Sequence, residues 1–230
     1  MPPGVLTEAG GGAGIFGKLP WLGDFVTRRL PRSFVEPWDS WLQAGMAAAR
    51  EALGETWLDS FLTAPVWRFL LPAGSAGPAA AGVLMPSVDR VGRYFPLTLA
   101  VTLDSDPPPE AALTAAPWFD TIENAALAAL EDSVAAEDWE AAVERIAPFP
   151  ATAAPPTAQI GADWRAQPVS GPGGVGAGLL RLATDPAAPA LARFWTNPAG
   201  EGWCLAGSGL PPPSVWPRAF MAPASQAEAP

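Results

Sequence analysis

The sequence contains no histidine, and it has only one cysteine, one lysine and one tyrosine among its 230 residues. Catalytic sites of the Ser-His-Asp and Cys-His kinds are excluded, because both use an imidazole as the base. Zinc sites built from clusters of His and Cys are excluded because the ligands are missing. Only carboxylate, arginine or lone-lysine chemistry remains open. We therefore expect a non-enzymatic protein with no cofactor and no metal site.

Positive charge is also scarce, since 13 basic residues face 23 acidic ones and the formal net charge is −10. Nucleic acid and anionic membrane surfaces would repel such a chain, so we expect neither as a partner. The segment 104–144 contains many acids and no Lys or Arg. A solvated helical face is the simpler interpretation of this segment, and a docking surface for a basic partner is the alternative.

Long apolar runs are absent, and none approaches the roughly 18–20 residues needed to span a bilayer. Residues 1–14 lack the apolar stretch that follows the basic start of a signal peptide. The lone Cys204 cannot form an internal disulfide, as is usual for proteins of a reducing compartment. We expect a cytoplasmic protein without membrane insertion, and its oligomeric state stays open.

What the chain does contain is a succession of helical and strand patterns that predicts a mixed α/β layered domain. We predict helices over 37–53, 55–62, 117–133, 137–146 and 213–221, and strands near 15–25 and over 66–71, 80–85, 95–103, 194–196 and 203–205. The first helix presents Trp38, Trp41, Leu42 and Met46 on one face, and Gly54 ends it. The helix 117–133 has its apolar stripe at Trp118, Ile122, Ala126, Leu127 and Leu130.

Composition divides the chain into five segments. We predict a flexible tail at 1–14, a main domain over 15–147, a Pro/Ala linker at 148–158, C-terminal strands and a helix over 159–221, and a second tail at 222–230. The segment 159–221 either completes the main domain or is appended to it. Most of the eleven tryptophans are expected in the core, whereas Trp21 and Trp164 lie in loop-like context and are expected to be exposed.

The Gly-rich start, Gly12-Ala-Gly-Ile-Phe-Gly-Lys18, approaches both a Walker A loop and a dinucleotide loop. Leu19 stands where a magnesium-binding Ser or Thr would be needed, and Pro20 obstructs the helix that should face the phosphate. A nucleotide-binding switch or an enzyme that uses this loop therefore remains only an alternative.

The densest group of polar residues lies in a Gly/Pro-bounded turn between two predicted strands. Asp89 and one of the two arginines, Arg90 or Arg93, can form an ion pair that holds the turn, with Gly92 supplying an unusual backbone angle. Alternatively, an arginine is presented to a carboxylate or phosphate group of a partner. Lys18 is expected to be solvated, and Asp24 is expected to act as a cap or to form a turn. The candidate partner-binding residues are Lys18, Asp24, Ser87, Asp89, Arg90 and Arg93.

These segments resemble the TagF (ImpM) family, whose members are accessory proteins of bacterial type VI secretion systems. The resemblance is carried by Gly17-Lys-Leu-Pro20, by Gly23-Asp-Phe25, by the runs 30–42 and 65–69, and most densely by Gly82-Val-Leu-Met-Pro-Ser-Val-Asp-Arg-Val-Gly-Arg-Tyr-Phe-Pro-Leu97. It is strong over residues 15–103 and looser in the C-terminal third.

The resemblance implies a cytoplasmic protein with a three-layer α/β/α sandwich, here expected to contain a mixed sheet. It also implies a post-translational repressor of secretion whose partner is the system's forkhead-associated (Fha) scaffold protein. We expect the chain to act by binding, and we weigh against this a structural accessory subunit of the secretion apparatus.

Overall fold

The structure, a computed structural model, describes residues 12–107, 111–150, 165–169, 191–196 and 202–221. The strands are β1 (Gly14–Gly17), β2 (Val26–Arg28), β3 (Trp67–Leu71), β4 (Ala79–Met85), β5 (Leu97–Leu103), β6 (Arg165–Val169), β7 (Ala192–Thr196) and β8 (Gly202–Gly207). The α-helices are α1 (Arg32–Leu53), α2 (Trp57–Leu62), α3 (Ala111–Thr114), α4 (Ala116–Ala128) and α5 (Ala136–Glu144).

All of these strands belong to one sheet, with the order β2-β1-β5-β4-β3-β7-β8-β6. Each described pair is antiparallel, so the prediction of a mixed sheet is wrong for these strands. For β3, β4 and β5 the reason is the length of the connections 72–78 and 86–96, because joining parallel strands takes a crossover of about a dozen residues or more. The C-terminal strand β7 pairs with β3, and β8 and β6 continue the sheet from there to its edge.

The buried side chains fall into two groups that alternate along the strands. In β3, Trp67, Phe69 and Leu71 belong to one apolar cluster, which contains the buried face of α1. Leu70 belongs to the other cluster, which contains the buried residues of α4 and α5. Since successive residues of a strand point to opposite sides, the two clusters lie on opposite faces of the sheet. We call these the α1 face and the α4 face.

Helix α1 is the longest helix, and it begins five residues earlier than the sequence predicts. Pro31 caps it in an extended conformation, and Pro37 lies inside the helix. Pro37 has no N–H, so the helical hydrogen bond to the Ser33 carbonyl oxygen cannot form. That carbonyl oxygen lies instead against the backbone of Gly77. The predicted apolar face is confirmed, because Trp38, Trp41, Leu42 and Met46 are buried, and the helix ends at Gly54 as predicted.

The C-terminal residues pack directly on α1. The Trp41 indole N–H donates to the Pro211 carbonyl oxygen at 2.7 Å, and the Trp38 indole N–H donates to Thr98 Oγ1 at 2.9 Å. The Trp216 ring lies so close to Gly45 that a Cβ atom at that position would collide with it. The predicted helix at 213–221 is a 3-10 turn (Pro213–Val215) followed by a π-helical turn (Trp216–Phe220).

On the α4 face, helix α4 ends at Ala128 rather than near 133. Its predicted stripe is correct for Trp118, Ile122 and Ala126, which are buried, and wrong for Leu127 and Leu130, which are 40% and 46% exposed. The next buried residue after Ala126 is Ala129, three positions later. Leu127 and Leu130 therefore lie beside the buried face rather than in it. Helix α5 matches its prediction and buries Trp139 and Val143.

Other predictions are settled by neighbouring contacts or lie outside the described residues. Trp21 is only partly exposed, because its ring packs edge-on against Trp139 at 5.3 Å, so its prediction as an exposed residue is wrong. Strand β6 was not predicted. Trp164, most of the predicted linker, most of the predicted tail 1–14 and all of the predicted tail 222–230 lie outside the described ranges. Within the described part of the chain, no helix has the length and apolarity to cross a bilayer.

Candidate functional site

Two connections meet at one end of the sheet and contain every candidate residue. The first is the β1–β2 loop, residues 18–25, and the second is the turn at 87–93 that precedes β5. They lie together because β1 pairs antiparallel with β5, so the end of β1 lies beside the start of β5. We call this region, residues 18–25 and 87–93, the paired-loop surface.

Asp89 is the centre of the paired-loop surface, and its side chain is fully buried. The carboxylate accepts hydrogen bonds from Lys18 Nζ at 2.5 Å and from Arg93 Nε at 2.7 Å. It also accepts the backbone N–H groups of Val91 at 3.0 Å and of Arg93 at 2.9 Å. The predicted ion pair between Asp89 and an arginine is therefore present.

These contacts set the ionisation of the carboxyl group. Burial raises the pKa of Asp89, but the hydrogen bonds from Lys18, from Arg93 and from the Val91 backbone outweigh it and hold the pKa well below its usual range. Asp89 is thus ionised at neutral pH, and its oxygens are occupied by donors of the protein itself. A general acid or base has to exchange a proton with a substrate, and this carboxylate is not arranged to do so.

Lys18 is buried, with only 4% of its surface exposed, so its prediction as a solvated residue is wrong. Its ammonium group pairs with Asp89 and lies 4.4 Å from the centre of the Phe25 ring. Its carbonyl oxygen accepts the Ser87 hydroxyl at 2.8 Å, which joins the two connections a second time. The preceding glycines Gly14 and Gly17 lie in strand β1 rather than in an open phosphate loop.

Backbone contacts complete the attachment of the turn to the loop. The Arg90 N–H donates to the Leu22 carbonyl oxygen at 2.9 Å, and Arg93 Nη2 donates to the Gly23 carbonyl oxygen. Gly92 has φ 84°, a left-handed angle that glycine adopts readily, as the sequence predicts. The paired-loop surface is therefore fixed by side-chain and backbone hydrogen bonds together.

Five side chains of this surface are exposed, including that of Arg93. Arg90 is exposed, and its guanidinium group has no hydrogen-bond or ion-pair partner among the described residues. Phe25 is 47% exposed and Val91 is 65% exposed. Asp24 is also exposed, in a bend of the β1–β2 loop, and its carboxylate accepts the backbone N–H of Phe25 at 2.8 Å.

The structure thus brings the six predicted residues together but divides them by role. Lys18, Ser87 and Asp89 are buried and hold the surface in shape, whereas Asp24, Arg90 and Arg93 are exposed. Sequence reasoning missed Phe25 and Val91. Val91 carried a usable signal, because an apolar residue at the tip of a short turn between two arginines has little chance of burial.

Three further features of the described residues bear on the chemistry open to the chain. Burial raises the pKa of the Cys204 thiol to about 12, so the sulfur stays protonated and is a poor nucleophile. Among the described residues no group of three or more His, Cys, Asp or Glu side chains could hold a metal ion. A depression bounded by Trp67, Pro96 and Trp216 is lined by apolar residues alone.

Comparison with known proteins identifies a family and finds similar solved structures. The family model for the TagF N-terminal domain, type VI secretion system-associated, matches residues 14–146. The crystal structure of PA0076 from Pseudomonas aeruginosa PAO1 is similar, with 36% sequence identity and a TM-score of 0.69. The similarity covers 94% of this chain and 96% of that chain. No curated protein matches.

Proposed function

Because this chain belongs to the TagF family of type VI secretion-associated proteins, we propose that it is a non-enzymatic cytoplasmic repressor of type VI secretion. In this proposal it acts after translation by binding a forkhead-associated scaffold protein of the secretion system. Binding lowers the concentration of free scaffold and so limits assembly, because a ligand shifts an equilibrium toward the state to which it binds.

The proposal rests on the observation that some residues of the paired-loop surface hold its shape while others are exposed to a partner. Its ionised and buried groups satisfy one another, as the four contacts of Asp89 illustrate. Arg90, Phe25 and Val91 remain exposed on a backbone that these contacts fix in place. A pre-shaped surface with an arginine and apolar side chains has the character of a protein interface, in which Arg and aromatic residues are enriched.

The first test is direct binding between the full chain and the Fha protein of the same secretion system. We expect a complex that co-purifies and has a Kd in the low micromolar range or tighter, about −8 kcal/mol or better. The measurement is isothermal titration calorimetry after co-purification from cell extract. Absence of a complex at protein concentrations of about 100 μM would contradict the proposal.

A second test separates a repressor from a structural subunit. Assembled secretion apparatus can be purified from cells that express a tagged form of this chain. We expect the chain to co-fractionate with free scaffold and to be absent from the finished apparatus. Stoichiometric recovery in the finished apparatus would support the accessory-subunit alternative instead.

The nucleotide-binding alternative is tested by thermal unfolding with and without ATP or GTP and Mg²⁺. A ligand that binds only the folded state raises the Tm, by an amount that grows with its concentration relative to Kd. We expect no shift, because the Lys18 ammonium group that a phosphate would need is buried against Asp89.

We further propose that the described elements form a three-layer α/β/α sandwich. The support is the alternation along the central strands, with α1 and α2 packed on one apolar cluster and α4 and α5 on the other. An experimental structure of the full chain tests this arrangement by the positions of α1 and α4 relative to the sheet.

A further inference from the structure

We propose that the paired-loop surface binds an acidic loop of its protein partner, in which a carboxylate pairs with Arg90 and a neighbouring apolar side chain contacts Phe25 and Val91. This inference rests on the proposed function, since it names the chemistry of the segment that the repressor recognises. The proposed contact is between two proteins, whereas the ion pairs of Asp89 are formed within this chain.

Charge complementarity is the first argument. The chain has a net charge of −10, yet three of the five charged side chains on the paired-loop surface are cations. Lys18 and Arg93 are already paired with Asp89. Arg90 is therefore the cation that this surface leaves available to a partner, and it suits an anionic group.

The chemistry of a single guanidinium group favours a carboxylate over a phosphate monoester. One planar guanidinium matches one carboxylate through two parallel hydrogen bonds. A phosphate monoester carries nearly two negative charges, and its sites gather several donors. In the paired-loop surface the other two cations, Lys18 and Arg93, are already paired with Asp89. The Arg90 guanidinium lies beside Gly23, and the next residue, Asp24, adds a negative charge that disfavours a doubly charged phosphate.

The apolar side chains give the second argument. Phe25 contacts the Lys18 ammonium group, and Val91 donates its backbone N–H to Asp89, so both residues flank the same buried carboxylate. Both are large apolar side chains with about half or more of their surface exposed. Apolar contacts beside a charged pair exclude water from it and strengthen its hydrogen bonds.

Rigidity gives the third argument. The Arg90 backbone is held by the Leu22 carbonyl, and the turn is closed by the hydrogen bond from the Asp89 N–H to the Arg93 carbonyl at 3.0 Å. A surface that is already ordered loses little conformational entropy when a partner binds. The contact with an acidic loop therefore needs ordering only of the Arg90 side chain and of the partner.

The test measures binding of the Fha protein to the full chain and to variants by isothermal titration calorimetry. We expect Arg90→Glu and Val91→Asp each to raise Kd by about tenfold or more, because they place negative charge against an acidic segment. Arg145→Glu and Leu127→Asp are matched controls, since both residues are exposed and lie outside the paired-loop surface. We expect the controls to change Kd by less than about twofold and all four variants to remain folded, with a small loss of Tm for Leu127→Asp because a carboxylate is unfavourable near the C-terminus of α4.

The outcomes separate this inference from the proposed function. Absence of binding by the unmodified chain would overturn both. Wild-type affinity that survives Arg90→Glu and Val91→Asp would overturn the acidic-loop inference and leave the repressor proposal standing. Phosphatase treatment of the Fha protein should leave Kd unchanged, and a loss of affinity would overturn the choice of a carboxylate. Replacing the partner's acidic residue by Arg should restore binding to the Arg90→Glu variant.

Discussion

Asp89 and Arg68 are both buried charges held by two side chains of the opposite sign, and they lie in different parts of the fold. Asp89 in the paired-loop surface is bound by Lys18 and Arg93. On the α4 face, Arg68 of strand β3 is bound by Asp120 at 2.7 Å and Glu123 at 2.6 Å, both from helix α4. Both arrangements consist of one buried charge and two opposite charges, and the signs in one are the reverse of those in the other.

The difference lies in what each central group contacts besides its charged partners. Asp89 also accepts two backbone N–H groups of its own turn, whereas the contacts of Arg68 are made to side chains of α4. Asp89 therefore determines the shape of a surface, and Arg68 attaches a helix to the sheet. Loss of the first should affect both folding and binding, and loss of the second should affect folding alone.

The largest effect is expected for Asp89→Asn. The neutral amide presents an N–H₂ group to a ring of donors and leaves the buried Lys18 without its counter-ion. We expect the Tm to fall on the order of 10–15 °C and Fha binding to be lost. Circular dichroism melting measures the first and calorimetry the second. Asp24→Asn removes the same charge from an exposed neighbour and should leave both nearly unchanged.

A smaller effect is expected for Arg68→Met, which keeps the side-chain volume and removes the charge. Glu123 is only 14% exposed and loses its partner, while Asp120 is 57% exposed and can be hydrated. We expect a loss of about 2–3 kcal/mol in the free energy of unfolding, measured with urea. Affinity for Fha should stay at the wild-type value, and a folded variant with weakened binding would contradict the comparison.

Acidification should reveal the ionised state of Asp89. Its folded-state pKa lies below the usual value, so its stabilising contribution is complete above the unfolded pKa of about 3.9 and is lost as the pH falls toward the folded pKa. The Tm difference between wild type and Asp89→Asn should be constant from about pH 5 to 8 and should shrink below about pH 4. A difference that already shrinks near neutral pH would show that the carboxyl group is not held ionised.

The smallest effect is expected for Asp120→Asn. More than half of the Asp120 side chain is exposed, so its pairing with Arg68 is weakened by water and salt. We expect a loss of less than about 0.5 kcal/mol in the free energy of unfolding. Glu123→Gln removes the charge of the more buried partner and should lower the free energy of unfolding more than Asp120→Asn does. The reverse order would show that burial does not determine how much each ion pair stabilises the fold.

Local patterns predicted the parts of the fold and site that depend on neighbours in sequence. The buried face of α1 follows from helical spacing, and the pairing of Asp89 with Arg93 connects residues four apart. Lys18 could not be placed, because its partner is 71 residues away. Arg68 was missed for the same reason, since its acidic partners lie on a helix more than 50 residues later.

The strand arrangement was only partly predictable as well. Periodicity located β3, β4 and β5, but nothing in a single sequence states that β7 pairs with β3. The exposure of Leu127 and Leu130 also depends on which side of α4 meets the sheet. Strand pairing and the side of a helix that is buried are determined by tertiary packing, and a local stretch of sequence does not carry that information.

The position of β3 between β4 and β7 has a consequence for synthesis of the protein. A ribosome releases β3 and β4 early, while β7 and the residues that cover Trp41 emerge near the end of translation. Until then the nascent chain has an open strand edge and an uncovered aromatic surface, which favour self-association. We therefore expect a chain truncated after residue 146 to aggregate rather than to fold as a smaller domain.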